Sequence, residues 1–442
     1  MAKYQKYTEY KDSGIEWLGE IPNHWNVGNL KFSFVGIKNG ATETQIEESN
    51  NTVPISRIES ISTGEINYEK VGFVNKYSIA ESYKINEGDI LLSHINSLSM
   101  VGNIALKRDT SILYHGMNLL RLMPNKDKFD PKYLFWILKS KYFRNSVESI
   151  AKPAINQASV SIDSLKNISL LIPTKIEQQD IANFLDHETA KIDTLIAKQE
   201  KLIELLKEKR QAVISNLVAV QNNEPTIKLK YAVEILAGYS FSSAGFQIEN
   251  DNGIPLLRGI NVGVGSIKWD ECVWWSKSDT NGLERYLLQE GDLVFGMDRP
   301  WISSGARVAE IKQTDLPSYL VQRVARIRCI DGFYQPYVKL VLGSKEFKSF
   351  IESDLTGVSV PHISTDQIIS FEVRNLTYEQ QVFETDKVIG FMFQVEELID
   401  KAQSAIQLMQ ERRTALISSA VTGKIDVRNW QHPNEAKTGL SA

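Results

Sequence analysis

Set against itself at a separation of about two hundred residues, the chain shows a second copy of its first half, and a duplication of that period constrains the fold before any other feature. Leu30-Lys31-Phe32 matches Leu229-Lys230-Tyr231, and Val53-Pro54-Ile55-Ser56-Arg57 matches Ile254-Pro255-Leu256-Leu257-Arg258. Glu87-Gly88-Asp89-Ile90-Leu91 matches Glu290-Gly291-Asp292-Leu293-Val294, and Ser140-Lys141-Tyr142-Phe143 matches Ser344-Lys345-Glu346-Phe347. Near the end of each copy, Ile168-Ser169-Leu170 faces Ile369-Ser370-Phe371. The order never changes, and the offsets run only from 199 (229 − 30) to 204 (344 − 140). So long a period excludes a solenoid of small repeats and implies two copies of a domain, which suits a chain of 442 residues.

Within each copy the hydrophobic period changes from about 2 to about 3.6, so a strand-rich part precedes a helical one. In residues 30–172 and 229–373, short apolar runs such as Ile90-Leu91-Leu92 and Leu293-Val294-Phe295 are bounded by turn residues. One helix is expected there over Tyr133 to Ile150, with a counterpart starting near Tyr337. Thr174 with Glu177, and Thr377 with Gln380, have the spacing of capping boxes. Beyond the first, Leu185, Ile192, Gln199, Leu206 and Val213 recur every seven residues, with Leu195 and Leu202 expected on the intervening seam. The second copy carries Val388, Val395, Ala402, Met409 and Leu416, with Leu398 and Ala405 between. The expected fold is α+β: two similar mixed α/β domains separated by two long antiparallel coiled-coil helices, related by an internal pseudo-twofold. The expected boundaries are 1–173 for an N-terminal segment with the first domain, 174–224 for a central helix, 225–374 for the second domain, 375–424 for a distal helix ending at Gly423, and 425–442 for a tail.

Charged residues make up 24% of the chain and hydrophobic ones 42%, so it can fill real cores. A net charge of −4 means that any contact with nucleic acid must come from local basic patches. Cys272 and Cys329 form no CxxC pair, which argues against a disulfide framework or a zinc site. Residues 1–14 are polar, and no later run is apolar enough to span a bilayer, so a cytoplasmic protein without a membrane partner is expected. Thr422-Gly423-Lys424 lacks the leading glycine of a phosphate loop, and Gly263 with Gly265 is an isolated GxG, so neither ATP hydrolysis nor methyl-donor binding is expected of this chain. The six histidines have no metal spacing, and no GxSxG elbow occurs. The absence of a catalytic constellation points to a binding protein rather than an enzyme.

The stretch Ser13-Gly14-Ile15-Glu16-Trp17-Leu18-Gly19-Glu20-Ile21-Pro22-Asn23-His24-Trp25 resembles the start of type I restriction-modification specificity subunits. The Glu-Gly-Asp segments, the Glu177-Gln178-Gln179 and Glu379-Gln380-Gln381 helix starts, and the Lys209-Arg210-Gln211 and Arg412-Arg413-Thr414 helix ends are similar to that family too. The resemblance implies two target recognition domains, each reading one half of a split double-stranded DNA site, and paired helices that fix the gap. It also implies docking of modification subunits, two in number, and of restriction or motor subunits. S-adenosylmethionine, ATP and magnesium would belong to those partners, with no cofactor or metal in this chain.

Base contact is expected from the loops that follow the Glu-Gly-Asp strands, because loops between strands can enter a groove. These loops offer His94, Asn96 and Ser97 in the first copy, and Asp298, Arg299 and Trp301 in the second. Arg299 suits guanine, Asn96 suits adenine, and Asp298 would accept from cytosine or orient Arg299. Arg57 and Arg258, at matching positions, together with Arg108 and Arg323, are further candidates. Gln157 and His362 lie in corresponding loops before the last strands, and Trp301 and Tyr319 are candidates for stacking on DNA. On the helices, Leu185, Ile192, Leu195, Leu202, Leu206, Val388, Val395, Leu398, Met409 and Leu416 are expected to form the seam or to meet partners. Two other readings stay open at this point: a coiled-coil assembly scaffold with protein-binding domains, and a nuclease with dispersed metal ligands.

Overall fold

A computed structural model describes residues 4–432, apart from 16–17, 63, 98–99, 155–156, 221–223, 249–252, 279–280, 304 and 355–361. The chain forms two compact units, the first from residues 1–199 and 404–442, the second from 200–403. Glu16 and Trp17 of the opening signature lie outside the described residues.

In the first unit, strands Phe34–Asn39 (β1), Ile90–Ser93 (β2), Ile104–Leu106 (β4) and Leu119–Pro124 (β5) form an antiparallel sheet of order β1-β5-β2-β4. Between β2 and β4, the short strand Ile95–Asn96 (β3) joins a hairpin of Lys152–Ala154 (β6) and Gln157–Ser159 (β7) in a second sheet, β6-β7-β3. The second unit repeats the main sheet with Val233–Ala237 (β8), Leu293–Gly296 (β9), Val308–Glu310 (β10) and Val324–Cys329 (β11), in the order β8-β11-β9-β10. Strands β2 and β9 are buried along their whole length, which is why their apolar runs do not alternate with polar residues.

The Glu-Gly-Asp motif builds the turn into each of these central strands. Gly88 and Gly291 have φ of +91° and +86°, a left-handed conformation that glycine adopts without a Cβ penalty. Asp89 Oδ2 accepts from the Asn86 N–H at 2.8 Å, and Asp292 Oδ2 accepts from the Gln289 N–H at 2.8 Å. Each carboxylate also holds an arginine of the adjacent strand, Arg121 on Asp89 and Arg328 on Asp292. The motif is therefore a closure for the sheet.

The single helix expected over Tyr133–Ile150 is two, Pro131–Lys139 (α1) and Lys141–Ile150 (α2). Ser140 separates them with ψ of 155°, and its hydroxyl accepts from the Phe143 N–H at 3.3 Å. A serine that can satisfy the next helix start competes with continuing the first. Ser344 does the same between Gln335–Leu342 (α3) and Lys345–Asp354 (α4).

Two 44-residue helices follow the strand-rich parts, Lys175–Val218 and Tyr378–Val421. Both expected capping boxes are present. The Glu177 N–H donates to Thr174 Oγ1 at 3.3 Å and the Gln380 N–H to Thr377 Oγ1 at 3.3 Å, with the reciprocal bonds at 3.3 and 3.0 Å. The helices pair antiparallel: in the first unit Arg413 binds Asp193 at 2.8 Å, and in the second Arg210 binds Glu396 at 3.2 Å.

The phase of the seam differs from the one expected. Leu185, Ile192, Val388, Val395 and Leu416 are buried, and Leu206 and Met409 are half-buried. Leu195, Leu202 and Leu398, however, are 45%, 42% and 49% exposed. The intervening inward positions are four residues on from the buried ones, not three, and hold Thr189, Ile196 and Ile203 on one helix and Met392, Ile399 and Ile406 on the other. The recurring heptad residues thus occupy d rather than a. Past Gly423 (φ +71°), Ile425 and Val427 enter the first unit's core with Ile21 and Trp25, and Trp430 packs edge-on to Phe184. Among the described residues no helix is long and apolar enough to cross a membrane.

Candidate nucleic-acid interface

Four of the expected residues converge at the end of β9. Asp298 Oδ1 lies 2.7 Å from His362 Nδ1 and 3.3 Å from Arg323 Nη1. Arg323 Nη1 also approaches His362 Nδ1 at 3.1 Å. One ring nitrogen cannot both donate to Asp298 and accept from Arg323, and the shorter contact assigns the His362 Nδ1 proton to the carboxylate. Arg323 then meets the same oxygen as a charge partner. All three side chains keep more than a third of their surface in solvent, so the cluster is an exposed, pre-oriented set of donors and an acceptor. Arg299 is beside it, exposed, with φ of +44°.

The loop is fixed from beneath by Arg307, which the sequence reading passed over. Its Nη1 donates to the Asp298 carbonyl at 2.8 Å and its Nε to the Val262 carbonyl at 2.9 Å. Burial lowers its pKa from the ordinary arginine value, although Asp298 opposes that shift.

The first unit repeats this framework with other side chains. The Val160 N–H donates to the His94 carbonyl at 2.9 Å, as the Ile363 N–H donates to the Met297 carbonyl at 2.9 Å. Ser159 pairs with Ile95 where His362 pairs with Asp298. Asn118 precedes β5 with φ of +66°, as Arg323 precedes β11 with φ of +72°. Ile95, Asn96, Asn118 and Ser159 therefore correspond to Asp298, Arg299, Arg323 and His362. The offset is 203 for Ser159 and His362 (362 − 159) but 205 for Asn118 and Arg323 (323 − 118), and that local drift hid Asn118 in the sequence.

The remaining candidates are placed differently. His94 has a buried Nδ1 without a hydrogen-bond partner, and burial lowers its pKa against the pull of a bond to the Asn118 backbone. Asn96 turns inward on its own loop: its Oδ1 accepts from the Ser97 N–H at 2.8 Å and its Nδ2 reaches Ser93 Oγ at 3.4 Å. Gln157 is exposed on β7. Arg57 and Arg258 cap matching short helices after equivalent strands, with Arg57 3.4 Å from Glu59 and Arg258 bonded to the Glu271 carbonyl. Arg108 lies over the Phe135 ring and pairs with Asp186 of the first long helix at 3.3 Å. Trp301 packs on Phe295 and Phe347 at 6.2 and 6.0 Å, and Tyr319 is buried, so both rings serve the second unit's packing instead of projecting as wedges. Residues 155–156 and 356–361 of the two late loops lie outside the described residues. Among the described residues no cluster of His, Cys, Asp and Glu could hold a metal.

Comparison with known proteins gives a consistent picture. Residues 22–205 match the family model described as the type I restriction modification DNA specificity domain. The MjaX type I restriction enzyme specificity subunit of Methanocaldococcus jannaschii is 28% identical over 82% of this chain and 87% of its own. The MjaVIII specificity subunit from the same organism is 24% identical over 95% and 98%. A solved chain from work on assembly and conformational transition of the type I R-M system superposes with a TM-score of 0.72 at 15% identity, covering 92% of this chain and 99% of that one. The HsdS subunit of Thermoanaerobacter tengcongensis gives 0.57 at 16% identity, covering 92% and 98%.

Proposed function

Since the chain belongs to the DNA specificity subunits of type I restriction-modification systems, we propose that each of its units reads one half of a split site through the loop framework at the end of its central strand. The carrying observation is that framework itself: equivalent backbone, different side chains. Two readers of different base sets need a common way of entering a groove and separate donors and acceptors at its tip. In the second unit, Arg323 and Arg299 would face guanine, with Asp298 orienting Arg323 and His362. In the first, Asn118, Ser159 and Gln157 would supply contacts, with Arg57 and Arg258 on flanking phosphates.

The chain would act without catalysis of its own. Modification subunits, two by the family's logic, would bring S-adenosylmethionine, and a restriction or motor subunit would bring ATP and magnesium. The long helices would set the gap and receive the modification subunits, with Leu195, Leu202 and Leu398 offering apolar surface for docking.

The test is to co-express the chain with its modification subunit and map methylated positions in genomic DNA, with and without Asp298→Ala plus Arg323→Ala. The expected result is a split motif in which one half relaxes while the other keeps its bases. Methylation independent of this chain would sink the DNA-specificity reading, and relaxation of both halves together would sink the residue assignment.

A further inference from the structure

A cavity of about 360 Å³ in the first unit is lined by Gly64, Asn103, Lys139, Lys141, Arg144 and Thr414, among others. Three of its walls carry cations, and among the described residues no carboxylate lines it. Lys139 ends α1, and its ammonium lies 5.0 Å from the Phe135 ring centre and 5.6 Å from that of Trp136. Among the described residues it forms no hydrogen bond or ion pair with a carboxylate. The charged groups around it oppose one another: Arg413 and Arg108 repel it, while Glu65 and Asp193 attract it. Burial is the larger influence and pushes the lysine down to about 8. Arg144, by contrast, is held in place by Glu148 at 2.8 Å and Asn103 at 3.1 Å.

The same cavity receives the start of α2. Ser140 caps that helix, Lys141 and Arg144 stand on its first turn, and its free N–H groups add a partial positive charge on the same side. Gly64, at φ +86°, leaves room for Lys139: a Cβ there would come within 2.7 Å of the ammonium. A half-buried cation that meets aromatic faces but no anion is costly unless an anion arrives from outside. The second unit does not repeat the arrangement, because Gly343 precedes Ser344 where Lys139 precedes Ser140.

We propose that this cavity binds a phosphate group, supplied by the DNA backbone, with Lys139 and Lys141 as its charge partners and Asn103 and Thr414 as neutral ones. The DNA source rests on the DNA-specificity reading; the phosphate chemistry of the cavity does not. The test uses the full chain, Lys139→Gln, the exposed Lys141→Gln, and, as a control outside the cavity, Lys201→Gln on the first long helix.

Duplex DNA of two unrelated sequences is titrated across a salt series by fluorescence anisotropy, and thermal unfolding is followed with and without inorganic phosphate. If DNA supplies the phosphate, each cavity variant weakens both duplexes equally and lowers the slope of log K against log salt by about one. If free phosphate is the occupant, it raises the unfolding temperature of the unaltered chain but not of the cavity variants, while the DNA slope stays fixed. Cavity variants that match the unaltered chain in both measurements overturn the site. Loss of all DNA binding by the unaltered chain, with the phosphate response intact, would count against the DNA-specificity reading alone.

Discussion

Asp298 holds two partners on one oxygen, and Arg323 reaches it from a backbone position that arginine rarely occupies. A left-handed residue other than glycine costs about 1–2 kcal/mol, against roughly 0.5–1 kcal/mol for the extra freedom of a glycine in its place. Arg323→Gly is therefore expected to leave stability unchanged or raise it by up to about 1 kcal/mol in denaturant unfolding, while discrimination at one half-site is lost from the methylation map. A second expectation concerns pH. His115 is buried, and burial lowers its pKa to about 4 although its ring bonds the Leu119 carbonyl. The unfolded state then binds the proton more readily, so stability is full above pH 6.5 and falls as pH drops from about 6.5 toward 4, by about 3 kcal/mol in all. The slope of unfolding midpoint against pH should flatten in His115→Gln. At this scale residue type picked out Asp298, Arg299, Arg323 and His362 but not Arg307, because its role is a bond to Val262, 45 positions away in the chain, and the other copy has Asn103 at the matching place.

Among elements, the most readable were the helix starts, since a cap is a local bargain between a side chain and the next three N–H groups. The glutamines after them do more than the spacing revealed. Buried Gln178 accepts from the Asp130 N–H at 2.9 Å and donates to the Pro173 carbonyl at 3.0 Å, while buried Gln381 accepts from the Tyr334 N–H at 2.9 Å and donates to the Leu376 carbonyl at 3.0 Å. Each glutamine ties a long helix to the domain before it. Gln178→Ala or Gln381→Ala leaves buried backbone groups unpaired, at a cost of about 1–3 kcal/mol. Hydrogen exchange should then rise near 128–134 for the first change and near 332–338 for the second, each without affecting the other. The seam was less legible: Leu195 and Ile196 are neighbours, and a heptad with apolar residues three and four on reads the same in either phase until a partner helix selects one. The break at Ser140 was hidden for a related reason, because apolar spacing continues across it.

For the whole molecule, the duplication made the two-unit plan readable, but not the return of the tail, whose residues Ile425, Val427 and Trp430 carry no periodic signal. If the helices set the gap between half-sites, seven residues added to each between Gln199 and Glu200 and between Gln403 and Ser404 preserve the seam. Each insertion lengthens its helix by about 10.5 Å at ~1.5 Å per residue. At ~3.4 Å per base pair, the methylated motif is expected to gain about three spacer base pairs with both halves unchanged.

The second unit is one continuous stretch, whereas the first closes only when residues 404–430 reach a core begun by residues 4–199. During synthesis, then, the later-numbered unit holds all its parts first, and the earlier one waits with an open flank for Leu416, Val421 and Val427. A chain cut short before Ser404 would hold every part of the second unit and lack the stretch of sequence that closes the first. Completion of the message is thereby built into the act of folding.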